Sequence, residues 1–328
     1  MSKLTTNLSI LFSFALLMLT GCEQNTAEVL PPQGEEPTEV LFSARIADVQ
    51  ISTRTNYTEK TGFALNDKIG LFAWKENNTA ETAFIENSLL VSNAGGTELT
   101  ASGQKIYFPY QATVLGLYAY HPYSATAVSG NLVKIKSELE SEGDDITDPL
   151  WAQTTIQKTE NPKKAEFNFS HRMARLKIYI YKASEATETY QLDAIEVTFY
   201  NKQTGTMNIV NGEIVNNNQS ETTYIDTYTT TALTTDESGT PQYDHTILPF
   251  EAVNGESSTV RRIVIKVSKT GETSNQETYE VYNAEAQGNT TFIKPSYGKV
   301  TRINVKFNPS TTASASLSAW GSDENLNM

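Results

Sequence analysis

The amino-acid sequence predicts an all-β fold, and three observations carry that prediction. Apolar and polar side chains alternate with a period of two in runs scattered from Val40 to Phe307, the pattern of strands with one buried face. Turn-forming clusters of Gly, Asn and Ser separate those runs. The composition, with 10% aromatic and only 19% charged residues, suits pleated and half-buried surfaces.

The first element is a leader. Lys3 precedes an apolar run from Leu8 to Leu19, too short to span a membrane, which ends at Leu19-Thr20-Gly21-Cys22. Small residues before a cysteine form a bacterial lipobox, and Cys22 is the only cysteine in the chain. Residues 1–21 are therefore expected to be a lipoprotein signal peptide, with Cys22 lipidated. Acyl chains hold such a residue to a membrane because each buried methylene contributes about 0.8 kcal/mol. Residues 22–38, with Pro31, Pro32, Gly34 and Pro37, read as a flexible tether.

Strands follow in order. Val40, Phe42, Ala44 and Ile46 alternate with Leu41, Ser43 and Arg45. Shorter runs occur at Ile69–Trp74, Lys105–Phe108, Val114–Tyr120 and Leu132–Ile135. Phe169, Met173 and Leu176 have helical spacing, but the segment passes straight into the alternation of Leu176, Ile178 and Ile180, so a strand is expected. Ile195–Phe199, Ile263–Val267 and Ile303–Phe307 complete the set, with Val264 out of phase. Turns are expected at Asn93–Gly96, Ser129–Asn131, Gln203–Gly205, Val210–Gly212 and Ser268–Gly271, and the Thr-rich stretch Glu221–Thr240 reads as an exposed loop or an edge insert. The length exceeds a usual single core, and Glu160-Asn161-Pro162-Lys163-Lys164 is the best boundary, giving β-sandwich domains over 39–162 and 163–328.

Composition also excludes. A formal charge of −13 gives no drive towards phosphate backbones, so nucleic acid is not an expected partner. One cysteine and three widely spaced histidines (His121, His171, His245) offer no metal motif, and no metal or cofactor is expected. The carboxylates Asp144, Asp145 and Asp148 fit no calcium-loop spacing and read as a solvated loop. His171 would share a strand face with Arg175, but no nucleophile motif accompanies them, and a structural hydrogen bond at the domain junction is the better reading. Trp74, Trp151 and Trp320 are candidate glycan-stacking platforms, although a lone Trp in a β-protein is usually core. An enzyme is not expected.

The two ends carry more information. Ala313, Ala315, Leu317 and Ala319 alternate with Thr312, Ser314, Ser316 and Ser318 before Trp320, a strand with a small apolar face that either closes its own sandwich or adds to a neighbour's sheet. Near the other end, a protease cutting after Arg45 or Arg54 would release the lipidated first strand and open a groove.

In that order the chain resembles the Bacteroidales fimbrillin family, lipoprotein precursors of surface fimbriae. The resemblance rests on the Cys22 lipobox, Phe42-Ser43-Ala44-Arg45 with Thr53-Arg54-Thr55, the segment Phe63 to Phe72, Tyr107-Phe108-Pro109, Tyr118 to Tyr123, Asp148 to Ala152, Phe167 to Leu176, and a last strand ending at Trp320. It implies two tandem transthyretin-like Greek-key sandwiches, outer-membrane export and proteolytic loss of the first strand. It also implies polymerisation with other fimbrial subunits by donor-strand exchange, with Arg45 or Arg54 as the processing site and Ala313–Trp320 as the donor. A host or bacterial surface ligand would be a further partner. The rival expectation is a monomeric surface lipoprotein that binds glycans.

Overall fold

The structure is a computed structural model. It describes residues 36–47, 62–141, 145–201, 203–216, 220–235, 239–251, 258–272, 275–286 and 292–308. All regular elements among them are strands. In the first part of the chain these are β1 (Leu41–Ile46), β2 (Lys68–Lys75), β3 (Ile85–Ser92), β4 (Glu98–Ala101), β5 (Val114–His121), β6 (Val128–Ser129), β7 (Leu132–Lys136), β8 (Ile146–Thr147), β9 (Leu150–Gln157) and β10 (Lys164–His171). The second part holds β11 (Ala174–Lys182), β12 (Tyr190–Phe199), β13 (Thr204–Asn208), β14 (Ile214–Asn216), β15 (Thr222–Ala232), β16 (Tyr243–Ile247), β17 (Val260–Lys269), β18 (Glu277–Asn283) and β19 (Val300–Phe307).

Seven of the first set close into a barrel in the order β1-β10-β9-β5-β2-β3-β4, with β1 pairing both β10 and β4, while β6, β7 and β8 join β13 and β14 in a separate sheet. Its interior is an apolar cluster that includes Phe42, Ile69, Leu71, Leu90, Leu117 and Phe167. The other strands of the second set form two sheets, β16-β11-β19 and β15-β12-β17-β18, whose inward residues Leu176, Ile178, Val197, Ile265, Ile303 and Phe307 share one core. Alternation explains both: in β10 the pattern Ala165, Phe167, Phe169 is buried while Glu166 and Asn168 are exposed.

A third cluster joins the parts. The outer face of the barrel offers Phe72, Trp74, Tyr118 and Tyr120 to Met207, Ile209, Ile214 and Leu248, and β7 pairs with β13 across the junction. At its rim the Arg172 guanidinium lies between the rings of Trp151 (5.3 Å) and Tyr297 (4.8 Å), and its Nε donates to the Gly212 carbonyl at 2.7 Å. Burial pushes this guanidinium below its ordinary value. Gly212 has φ +68°, and a Cβ there would stand 2.6 Å from Trp151 Cδ2. Left-handed backbone and a rigid neighbour penalise the same substitution, so Gly212→Ala should lose about 3 kcal/mol of stability, read from the midpoint of urea unfolding.

Several details differ from the sequence expectations. Lys105–Phe108 contributes only an isolated bridge, Tyr107 to Glu39, because Pro109 has no N–H with which to continue a ladder. Gln203–Gly205 is not a turn. Thr204 and Gly205 open β13, and the glycine is needed for close packing, since a Cβ would meet the Val215 carbonyl oxygen at 2.7 Å. His171 and Arg175 do not share a strand: β10 ends at His171 and β11 begins at Ala174, with the chain crossing between sheets. Of the two readings of Glu221–Thr240, the edge insert holds for β15, an edge strand on β12.

Candidate strand-exchange groove

β1 is the seam of the barrel. Its six residues pair in parallel with Lys164–Phe169 of β10, 123 positions away in sequence, as in Leu41↔Lys164, Phe42↔Ala165, Ala44↔Phe167 and Ile46↔Phe169. On its other side it pairs antiparallel with β4, through Phe42↔Leu99 and Ser43↔Glu98. Bonds beyond the ladder extend its hold: Val40 N–H donates to Ile106 (2.8 Å), Ala44 N–H to Thr97 (2.9 Å) and Ala47 N–H to Phe169 (2.8 Å).

Val40, Phe42, Ala44 and Ile46 point inward and are buried, whereas Leu41 and Arg45 are exposed. Phe42 stacks on Phe167 with ring centroids 6.5 Å apart and planes at 4°. Phe63 packs edge-on against Phe169 at 5.0 Å, completing the aromatic floor beneath β1. Each large side chain buried here contributes about 1.5–3 kcal/mol relative to exposure, so the strand seats firmly while touching the barrel only along its two edges and one face.

The sequence-proposed site residues fall out as follows. Arg45 sits in β1, where its Nε donates to Asn168 Oδ1 and its backbone belongs to the ladder with β10. A protease that binds its substrate as a free extended strand can reach the bond after Arg45 only once β1 has peeled away. Cys22, Arg54 and the segment containing Ala313, Ala315, Leu317, Ala319 and Trp320 lie outside the described residues.

The titratable groups elsewhere make structural bonds. His171, 2% exposed, places Nδ1 at 2.9 Å and 3.0 Å from the two Asp148 carboxylate oxygens. Asp148 itself has φ +49°. Arg175 and Asp244 form a two-point pair at 2.6 Å and 2.9 Å, and His245 Nε2 lies 2.8 Å from Asp226. Among the described residues no three His, Cys, Asp or Glu side chains converge as metal ligands. Trp74 is core, with Nε1 donating to Glu81 at 3.0 Å, and Trp151 donates to Ile209 at 2.7 Å beneath Arg172. Neither presents an open stacking face.

Sequence reasoning singled out β1 but missed its partners. The signal was present: Phe42 then Ala44 on one strand answers Ala165 then Phe167 on the other, large against small in both positions.

Comparison with known proteins gives a consistent set. A family model described as fimbrillin-like matches residues 53–320. A candidate fimbrium subunit of Bacteroides uniformis is 27% identical over 202 residues, covering 60% of this chain; the match spans less than two thirds of that relative, 63% of its length. Among crystal structures, a candidate cell adhesion protein of Bacteroides ovatus superposes with TM-score 0.54 at 16% identity, covering 84% of this chain and 94% of that one. One from Parabacteroides distasonis gives 0.51 at 10% identity, covering 85% and 91%. At such identities these two likenesses concern the fold.

Proposed function

The chain belongs to the fimbrillin-like family, matched over residues 53–320, and on that premise we propose that it is a cell-surface fimbrial subunit assembled by strand exchange. It is a structural protein and not an enzyme. In this reading residues 1–21 direct export, Cys22 carries lipid to the outer membrane, and residues 22–38 tether the precursor. The barrel, which runs through β10 to His171, and the two-sheet part that follows it form two transthyretin-like Greek-key units, linked through the shared β7–β13 sheet. Removal of β1 by cleavage after Arg45 or Arg54 opens the groove between β10 and β4. The tail strand Ala313–Trp320 of the next subunit fills it.

The observation that carries this reading is the position of β1. It is the first strand of the barrel, joins β10 through backbone pairing, a stacked side-chain face and the Arg45–Asn168 hydrogen bond, and precedes the stretch matched by the family model. A strand so placed can leave without severing any connection between later elements. The vacated edges of β10 and β4 are then unpaired, and unpaired edges flanking an apolar floor accept another strand.

The test is intact mass and N-terminal sequencing of protein from native cell surfaces, beside boiled and unheated gels. An N-terminus just after residue 45 or residue 54, with a ladder that collapses on boiling, is the expected result. A single monomer band still carrying acylated Cys22 would overturn it and turn attention to the glycan-binding alternative, which the coverage of Trp74 and Trp151 does not favour.

A further inference from the structure

We propose that the groove reads its incoming strand as an ordered pair, a large side chain over Ala165 and a small one over Phe167, and that the tail of a second copy satisfies this in one register, with Leu317 in the place of Phe42. The inference rests on the strand-exchange reading above and adds the rule by which the donor is recognised.

The rule is written in the β1–β10 pairing. Ala165 lies opposite Phe42, and its small side chain leaves the space that the Phe42 ring fills. One step along, the sizes reverse: Phe167 lies opposite Ala44 and turns its ring against that of Phe42. Both β1 residues are 5% exposed and both β10 residues are at most 1% exposed, so both pairs lie within the core. A strand with the reverse order would drive a large side chain into the Phe167 ring and leave a void over Ala165. Close-packed interiors tolerate neither defect well.

The apolar face of the tail is Ala313, Ala315, Leu317 and Ala319, with one large residue flanked by alanine on both sides. Only Leu317 can fill the space over Ala165. In that register an alanine automatically meets Phe167: Ala319 if the tail runs parallel to β10, as β1 does, and Ala315 if it runs antiparallel. Placing Leu317 two positions further on, over Phe167, gives a collision there and a void at Ala165. A one-residue slip would turn Ser314, Ser316 and Ser318 into the apolar groove. Of these placements the tail therefore has one good register, Leu317 over Ala165, in whichever direction it runs.

The experiment uses the unlipidated chain, cut by an Arg-specific protease and left with β1 in place. A labelled peptide of residues 39–46 is exchanged into it, and unlabelled peptides of residues 311–321 compete, read by fluorescence polarisation. The native tail peptide should displace the label, and L317F should do so at least as well. L317A should be at least about thirtyfold weaker, for a buried leucine lost from a packed site. Of A315F and A319F, one should lose at least about tenfold, and Phe167→Val in the cut chain should restore that peptide, which also fixes the strand's direction. Equal competition by A315F, A319F and the native peptide, or no rescue of either by Phe167→Val, would overturn the register rule. Failure of the native tail to displace a label that itself exchanges, or failure of the label to exchange, would instead overturn the strand-exchange reading.

Discussion

Replacing Leu317 with Asp is expected to stop polymer growth while leaving the monomer folded. In the proposed reading β1 closes the barrel of the precursor, its Val40, Phe42, Ala44 and Ile46 filling the floor above β10, so the barrel is expected to fold without the tail. In the proposed seating the side chain at position 317 would take the space over Ala165, which is lined by Phe167 and Leu99 and holds no basic group among its register partners. An unpaired carboxylate there would have to stay ionised in an apolar site or take up a proton, and either costs several kcal/mol. A penalty of about 4 kcal/mol corresponds to roughly a thousandfold loss of affinity between neighbouring subunits. The measurements are the ladder of multimers on unheated gels and the circular dichroism melt of the monomer. Persistence of the ladder would mean that another strand is the donor. Loss of the melt would mean that the tail belongs to its own fold.

Gly70→Ala should be among the most damaging single substitutions in the barrel. Gly70 lies in β2, opposite Tyr120 of β5 and Leu89 of β3. A Cβ built on it would stand 2.0 Å from Tyr120 Cε1 and 2.5 Å from Cζ. The ring cannot swing aside cheaply, because its hydroxyl donates to Asn87 Oδ1 at 2.7 Å and accepts from the Ser124 N–H at 3.2 Å. Burial also holds the Tyr120 phenol well above its ordinary ionisation range, consistent with a ring sealed against the third core. Displacing it would open both the β2–β5 pairing and the junction at Phe72 and Trp74. A loss of about 3 kcal/mol or more is expected in urea unfolding. Pairing Gly70→Ala with Tyr120→Leu should recover part of it, since the added methyl then meets a side chain that can bend away. If Gly70→Ala unfolds at the wild-type midpoint, the close approach of ring and backbone is not a feature of the protein in solution.

Much of the strand content was legible because the period-two signal is strong wherever one face meets a core and the other meets water. β1, β12 and β19 were readable this way, whereas β5, buried on both faces, showed only as a short apolar run. β9 was not, although it lies between β5 and β10, because Gln153, Thr154 and Thr155 blur the alternation. β3 hides similarly, with Asn87 and Ser88 half-buried and Asn87 at φ +47°. The expected turn at Gln203–Gly205 failed for a different reason: glycine answers equally to a turn and to a backbone that must come close, and only the position of Val215 distinguishes them. The His171–Asp148 and Arg175–Asp244 pairs join residues 23 and 69 positions apart, distances over which spacing carries no signal.

By itself the sequence determined the class of the fold, the strand faces and the order of features that places the chain beside the fimbrillins. These follow from local chemistry: the pleat assigns alternate side chains to opposite faces whatever the strand's partner. Tertiary structure alone decided that β1 pairs with β10 and β4, that β7 crosses to β13, and that Phe42 rests over Ala165. Strand partners are chosen by how side chains of distant segments fill one another's space, and that fit exists only once the chain has closed on itself.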